Sequence, residues 1–243
     1  MELVSIVVVG IVFLSTVVYM ASGFGFALLA VPLLVVFIGP HFAVVAATIL
    51  SLPLGIGIVL KDFRLVCWTP ALLMMCASLP GFILGVLILT RLDPDLLNML
   101  IGAAVLTFVW VHARELHVPI NRVSLSLGGV LSGALATSTG MNGPPVVAIF
   151  HSIGLSPRSF RVCVAVVLFY SKVVALIAFG LSESLNARLL YSMLPLIPAS
   201  ALGFVVGEFF FVRTSAKHSR RLVLLLLAAS GLAATVDGLL SFF

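Results

Sequence analysis

The sequence predicts an all-α integral membrane protein built from two inverted repeats, each a broken-helix hairpin followed by three transmembrane helices. The first observation is composition: 62% of the 243 residues are hydrophobic and 9% are charged, whereas a soluble domain carries about a quarter charged residues. The second is that apolar runs approach the roughly 20 residues that a spanning helix needs, without the alternation of a β-barrel strand. The third is a pair of glycine-rich breaks in these runs.

Apolar segments delimit the helices. They fall at about 3–21, 26–38, 42–60, 66–90, 96–111, 123–138, 144–153, 162–181, 189–212 and 222–240. As one helix, residues 3–38 would be roughly 54 Å long at 1.5 Å per residue, against a hydrocarbon core of about 30 Å. The pairs 3–38 and 123–153 are therefore either long kinked spans or re-entrant hairpins that enter and leave on one face.

The basic residues favour hairpins. Lys172 lies within a predicted span and is left out of the count. Kinked spans would give eight crossings, with five of the other basic residues on one membrane face and seven on the other. Hairpins give six crossings, with ten on one face and only Arg91 and Arg188 on the other. The ten are Lys61, Arg64, Arg114, Arg122, Arg158, Arg161, Arg213, Lys217, Arg220 and Arg221. Since Lys and Arg accumulate on the cytoplasmic side, we expect this face to be cytoplasmic and both termini to be periplasmic. The positive net charge is thus explained by topology, and no nucleic acid is expected as a partner.

A sequence repeat supports the same plan. Ala77–Gly85 matches Ala199–Gly207 with five identities at a constant offset of 122. Because each half holds an odd number of spans, the halves would be inverted, as in many secondary transporters. The predicted repeats are residues 1–115, with hairpin 3–38, and residues 116–243, with hairpin 123–153.

The two breaks are the predicted binding site. The first is Ser22-Gly-Phe-Gly-Phe26, and the second is Ser138-Thr-Gly-Met-Asn-Gly-Pro-Pro145, in which Asn142 can cap the following helix. Helix N-termini present unpaired N–H groups that favour anions, and neither break contains a carboxylate that would suit a cation. The alternative is that the glycines only allow close helix packing. The predicted substrate-binding residues are Ser22, Gly23, Phe24, Gly25, Phe26, Ser138, Thr139, Gly140, Asn142, Gly143 and Lys172.

Other ionisable residues are weaker candidates. Lys172 lies deep in a predicted span, where it either attracts the anion or snorkels to an interface. Glu208 and Asp237 are candidates for proton coupling or solvated positions near span ends, and His41 and His151 follow the two hairpins. The three cysteines have neither metal-site nor disulfide spacing, so we expect no metal and no cofactor. The basic loop 213–221 either anchors the topology or also contacts lipid headgroups.

The chain resembles the sulfite exporter TauE/SafE family, also called the toluenesulfonate uptake permease family. The resemblance rests on Gly23-Phe-Gly25 followed by Pro32, and on Leu131-Ser-Gly133 leading into Gly140-Met-Asn-Gly-Pro-Pro145. The family pattern has denser glycines, where this chain has Phe24, Phe26 and Asn142. The resemblance implies a carrier of the bacterial inner membrane for sulfite, sulfonates or related organosulfur and carboxylate anions.

The leading interpretation is therefore a secondary transporter that moves a small sulfur-containing anion by alternating access around the two breaks, coupled to protons or to the membrane potential. A passive anion channel would share the same site. An intramembrane enzyme is less favoured, because the sequence has no metal motif and no paired carboxylates inside spans. The anion, the direction of transport, the coupling ion and the oligomeric state, a homo-oligomer included, are left open.

Overall fold

The computed structural model describes residues 2–22, 24–113, 118–182, 191 and 193–213, and this part of the chain is helical without strands. The helices are α1 Glu2–Ser22, α2 Phe26–Ile38, α3 Pro40–Asp62, α4 Trp68–Arg91, α5 Pro94–Ala113, α6 Arg122–Ser138, α7 Gly143–Ser152, α8 Pro157–Leu181 and α9 Leu196–Arg213. A 3₁₀ helix, Phe63–Leu65, follows α3. The all-α prediction is confirmed for these residues, and the predicted span 222–240, with Asp237, lies outside them.

Three of the described helical segments are long and apolar enough to cross a membrane: Pro40–Leu65, Trp68–Arg91 and Pro157–Leu181. Four shorter apolar helical stretches accompany them, at Ile6–Met20, Phe26–Ile38, Pro94–Trp110 and Leu196–Phe209. Large apolar side chains on the outer surfaces of α4 and α9 are exposed, as expected of side chains that face lipid. The chain is an integral membrane protein.

Both predicted breaks separate two helices. Between α1 and α2, Gly25 has a φ of 103°, and between α6 and α7, Gly140 has a φ of 71°. Residues that have a side chain rarely adopt this left-handed backbone conformation, so glycine permits each turn. The α6–α7 pair begins and ends at the same end of the bundle, because Val118 N, just before α6, donates to Ser152 Oγ at the end of α7 over 2.9 Å.

Each broken pair packs against a helix of the other half of the chain. Helix α4 lies on α6, where Gly81 faces the Val130 carbonyl so closely that a Cβ there would overlap it. Helix α9 lies on α1, where a Cβ at Gly203 would be 2.8 Å from the Phe13 carbonyl oxygen. Glycine permits both close approaches, since it has no Cβ.

Helix α8 runs through the centre of the bundle. It contacts α3, α4, α6 and α7, and its first half is buried almost continuously from Arg161 to Leu168. A Cβ at Gly55 of α3 would lie 3.2 Å from Phe169 Cβ, so α3 and α8 are also in close contact. Helix α8 therefore lies beside both helices that flank the second break, α6 and α7.

Candidate functional site

The first break turns the start of α2 into the protein interior. Gly25 precedes α2, and the first hydrogen bond of that helix runs from Leu29 N to Gly25 O, 3.1 Å. The opening N–H groups, from Phe26 to Leu28, have no carbonyl one turn earlier within the same helix. They lie among buried residues, so the positive end of α2 is shielded from bulk water.

The second break places an unsatisfied amide beside the start of α7. Asn142 occupies the N-cap position, but its side chain makes no capping hydrogen bond, so the expected cap is wrong. Its backbone carbonyl accepts from Ser132 Oγ over 3.4 Å. Its Nδ2 is buried and has no hydrogen-bond partner among the described residues. A buried unpaired donor is costly, and a ligand acceptor would satisfy it.

The two breaks meet at one cavity. It is lined by Tyr19, Gly25, Phe26, Ala27, Leu28, Ser51, Gly140, Met141, Asn142, Gly143, Leu168, Phe169 and Lys172. A Cβ at Gly143 would lie 3.7 Å from Leu28 Cδ1, so the start of α7 lies close to the first turn of α2. The start of α2, the start of α7 and the middle of α8 therefore line one cavity.

Lys172 supplies the positive charge of this cavity. It is 5% exposed, and its Nζ donates to Gly140 O over 2.6 Å. Snorkelling to an interface is wrong, because the ammonium is buried and bonded to the second break. Within the described part of the chain, no carboxylate lies within ion-pair distance of Lys172. A buried cation without a counter-ion is costly in lipid, and an anion in the cavity would lower that cost.

Six of the predicted binding residues line this cavity: Gly25, Phe26, Gly140, Asn142, Gly143 and Lys172. Three others do not. Phe24 packs edge-on against Phe108 and Phe160, with ring centroids 6.0 and 6.4 Å away. Ser138 and Thr139 donate their hydroxyls to carbonyls of their own helix, Ala134 O at 2.7 Å and Leu135 O at 3.0 Å. Gly23 and the side chain of Ser22 lie outside the described residues.

Sequence reasoning missed two polar residues of the cavity. Tyr19 lies near the end of α1, and Ser51 lies mid-way along α3, with its hydroxyl donating to Ala47 O over 2.6 Å. Tyr19 carried a usable signal, because an aromatic hydroxyl inside an apolar helix six residues before Gly25 needs a polar neighbour. Ser51 carried none, since a serine can bond a carbonyl of its own helix anywhere in a membrane span.

The other ionisable candidates lie elsewhere. Glu208 is ion-paired with Arg161 and Lys61, and His41 and His151 do not line the cavity. Among the residues that the structure places, no group of three or more His, Cys, Asp or Glu side chains could hold a metal ion. The cavity thus offers an ammonium, an amide and helix-start N–H groups, all of them donors, and no described carboxylate lines it. This set of groups suits a small anion with several acceptor atoms.

Comparison with known proteins identifies the family. The family model described as sulfite exporter TauE/SafE matches residues 8–234, nearly the whole chain and both breaks. Neither the curated proteins nor the solved structures give a match to this chain. The family consists of membrane transporters for sulfite-related anions. On the match over residues 8–234, the chain belongs to the sulfite exporter TauE/SafE family.

Proposed function

We propose that this protein is a secondary transporter that carries a small sulfur-containing anion, such as sulfite or an organic sulfonate, across the bacterial inner membrane. The anion binds in the cavity between the two breaks. Transport is coupled to protons or to the membrane potential and proceeds by alternating access. Family membership supports transport of a sulfite-related anion, and the residues that line the cavity support an anion site between the two breaks.

The observation that carries the proposal is the convergence of positive groups on one cavity. The uncompensated ammonium of Lys172, the unpaired Nδ2 of Asn142 and the starts of α2 and α7 all reach it. Helix N-termini carry about half a positive charge each, so the cavity is positive even before the ammonium is counted. Oxyanions of sulfur have several equivalent acceptor oxygens, which can pair with these donors at the same time.

Reciprocal packing of the two halves supports the inverted repeats. Gly81 and Gly203 are 122 residues apart (203 − 81), and they meet carbonyls that are 117 apart, those of Val130 and Phe13 (130 − 13). The next pair obeys the same offsets. Gly85 and Gly207 are 122 apart, and they meet Ala134 and Val17, which are 117 apart. Helices α4 and α9 therefore use corresponding surfaces to hold the hairpin of the other half.

One ion cluster supports the six-crossing topology with periplasmic termini. Lys61, at the end of α3, and Arg161, near the start of α8, both bind Glu208. In an eight-crossing topology these two basic residues would lie on opposite faces, about 30 Å apart. Two hairpins place both on the predicted cytoplasmic face, together with Arg213, five residues after Glu208.

Tracer flux tests the proposal directly. The purified protein is reconstituted into liposomes, and uptake of [³⁵S]sulfite is followed with and without an inward proton gradient and at a set membrane potential. We expect saturable uptake that one of these two gradients stimulates. Protein-free liposomes and the Asn142→Asp variant serve as controls. Uptake that does not saturate and needs no gradient would indicate a channel, and no protein-dependent uptake would reject sulfite as the substrate.

A further inference from the structure

A second buried cation of α8 lies outside the cavity described above. Arg161 is 2% exposed, and its Nη2 donates to Glu208 Oε2 over 2.7 Å and to Met20 O over 2.6 Å. Lys61 is ion-paired with the other carboxylate oxygen, Oε1, of Glu208. Arg161, Lys61 and Glu208, here called the α8 ion cluster, join α8 to α3 and α9.

The α8 ion cluster has the composition of an occupied anion site. Two cations hold one carboxylate, so the three side chains carry a net charge of +1 (2 − 1). Each cation takes a different oxygen of the carboxylate, as two donors would take two oxygens of a free oxyanion. The carboxylate belongs to Glu208 of α9, but Arg161 and Lys61 could bind the oxygens of a free anion in the same way.

The cluster also leads from the surface toward the cavity. Side-chain exposure falls from 59% at Lys61 to 23% at Glu208 and to 2% at Arg161. The carbonyl that Arg161 binds belongs to Met20, whose neighbour Tyr19 lines the cavity. Arg161 and Lys172 are 11 residues apart on one helix, about 16 Å along its axis at 1.5 Å per residue. One helix thus presents two buried cations in line, the outer one near the surface.

We propose that Arg161 and Lys61 form a second anion-binding site, which the carboxylate of Glu208 occupies as a tethered competitor. A small oxyanion that moves between the cavity and this end of the bundle displaces the Glu208 carboxylate and binds Arg161. The inference rests on the proposed function for the nature of the ligand. It goes beyond that function in assigning a second site and in making Glu208 the group that closes it.

Binding stoichiometry tests this inference. Anaerobic equilibrium binding of [³⁵S]sulfite is measured on detergent-purified wild type, Glu208→Gln, Glu208→Gln/Arg161→Gln and Asp95→Asn, a matched carboxylate-to-amide control on α5. Removing the tethered carboxylate leaves two cations free to bind a mobile anion. We expect one equivalent of sulfite per chain in wild type and Asp95→Asn, two in Glu208→Gln, and one again in the double variant.

The outcomes separate this inference from the proposed function. One equivalent in both wild type and Glu208→Gln would overturn the second site and leave the cavity site standing. No binding to wild type, but one equivalent to Glu208→Gln that is lost in the double variant, would support the second site and count against the cavity. No binding to any variant would overturn both. If Glu208→Gln is not monodisperse, Glu208→Ala replaces it, because it also removes the tethered carboxylate. A single equivalent in folded Glu208→Ala would overturn the second site.

Discussion

Two cations on the same helix meet the same kind of partner and differ in what neutralises them. Lys172 and Arg161 of α8 are both buried, and each donates over 2.6 Å to a backbone carbonyl. Lys172 binds Gly140 O in the second break, and Arg161 binds Met20 O, two residues before the first break. Arg161 is paired with Glu208. Lys172 has no described carboxylate within ion-pair distance, and an unpaired Asn142 amide shares its cavity.

The difference indicates which charge is available to a substrate. A buried cation that is already paired adds little net attraction for a mobile anion, whereas an unpaired one attracts it strongly, because desolvation is already complete. We therefore propose that an anion in the cavity neutralises Lys172. Arg161 is paired with the Glu208 carboxylate, so its charge becomes available only when that carboxylate is displaced.

The largest expected effect comes from Asn142→Asp, which gives the Lys172 cavity a tethered carboxylate and so makes it resemble the Arg161 site. The added negative charge repels a substrate anion and takes its place at the start of α7. We expect sulfite uptake to be abolished while the protein stays monodisperse in size-exclusion chromatography. Asn121→Asp, an exposed cap of α6, is the matched control and should transport normally. Sulfite uptake at the wild-type rate in Asn142→Asp would show that the anion does not bind in this cavity.

The next largest effect is expected from Lys172→Gln, which removes the unpaired charge and keeps a hydrogen-bond donor. Charged hydrogen bonds contribute about 1.5–3 kcal/mol, so sulfite affinity should fall by roughly ten- to a hundredfold. Isothermal titration calorimetry or tracer binding measures this change. Arg158→Gln, an exposed cation at the start of the same helix, should leave the affinity unchanged. Equal losses in both variants would point to the overall charge of the protein instead of a site.

A smaller effect, on stability, is expected at the glycines that hold the two hairpins. Gly81→Ala would push α4 away from α6, and Gly203→Ala would push α9 away from α1. Overpacking of this kind costs about 1–3 kcal/mol, so both variants should melt at lower temperature in detergent. Gly10→Ala, where a Cβ meets nothing within 4 Å, is the control. Destabilisation at Gly81 alone would argue against equivalent roles for the two halves.

The smallest expected effect is that of Gly140→Ala, compared with Gly154→Ala. Their φ angles are 71° and 73°, so both substitutions introduce the same left-handed strain, about 1–2 kcal/mol. A Cβ at Gly140 lies in ordinary contact distance of Val31 and Val44, and one at Gly154 meets nothing within 4 Å. Thermal melts should therefore show similar losses of stability. Sulfite affinity should fall only in Gly140→Ala, because only Gly140 positions Lys172. If both variants bind sulfite with the same affinity, the turn at Gly140 does not contribute to binding.

Helix positions and the breaks could be predicted from the sequence because they depend on local residue types. The predicted segments 26–38 and 123–138 agree with α2 and α6 within one residue, and glycine marks the left-handed turn in each break. Helix α8 begins at Pro157, whereas the sequence predicted a start at residue 162. The prediction placed Arg161 at a span end because it is basic. In the structure Arg161 is buried inside the protein and is paired with Glu208. Which hydroxyls reach the cavity depends on tertiary packing and could not be predicted: Ser138 and Thr139 bond their own helix, while Tyr19 and Ser51 line the site.

The central claim, that the cavity between the breaks holds the transported anion through Lys172 and Asn142, is tested most directly by equilibrium [³⁵S]sulfite binding to wild type and Asn142→Asp side by side. The proposed site predicts one saturable equivalent per wild-type chain, competed by unlabelled sulfite, and loss of that equivalent in monodisperse Asn142→Asp. Saturable binding of equal affinity in both proteins would contradict it and place the anion elsewhere in the molecule.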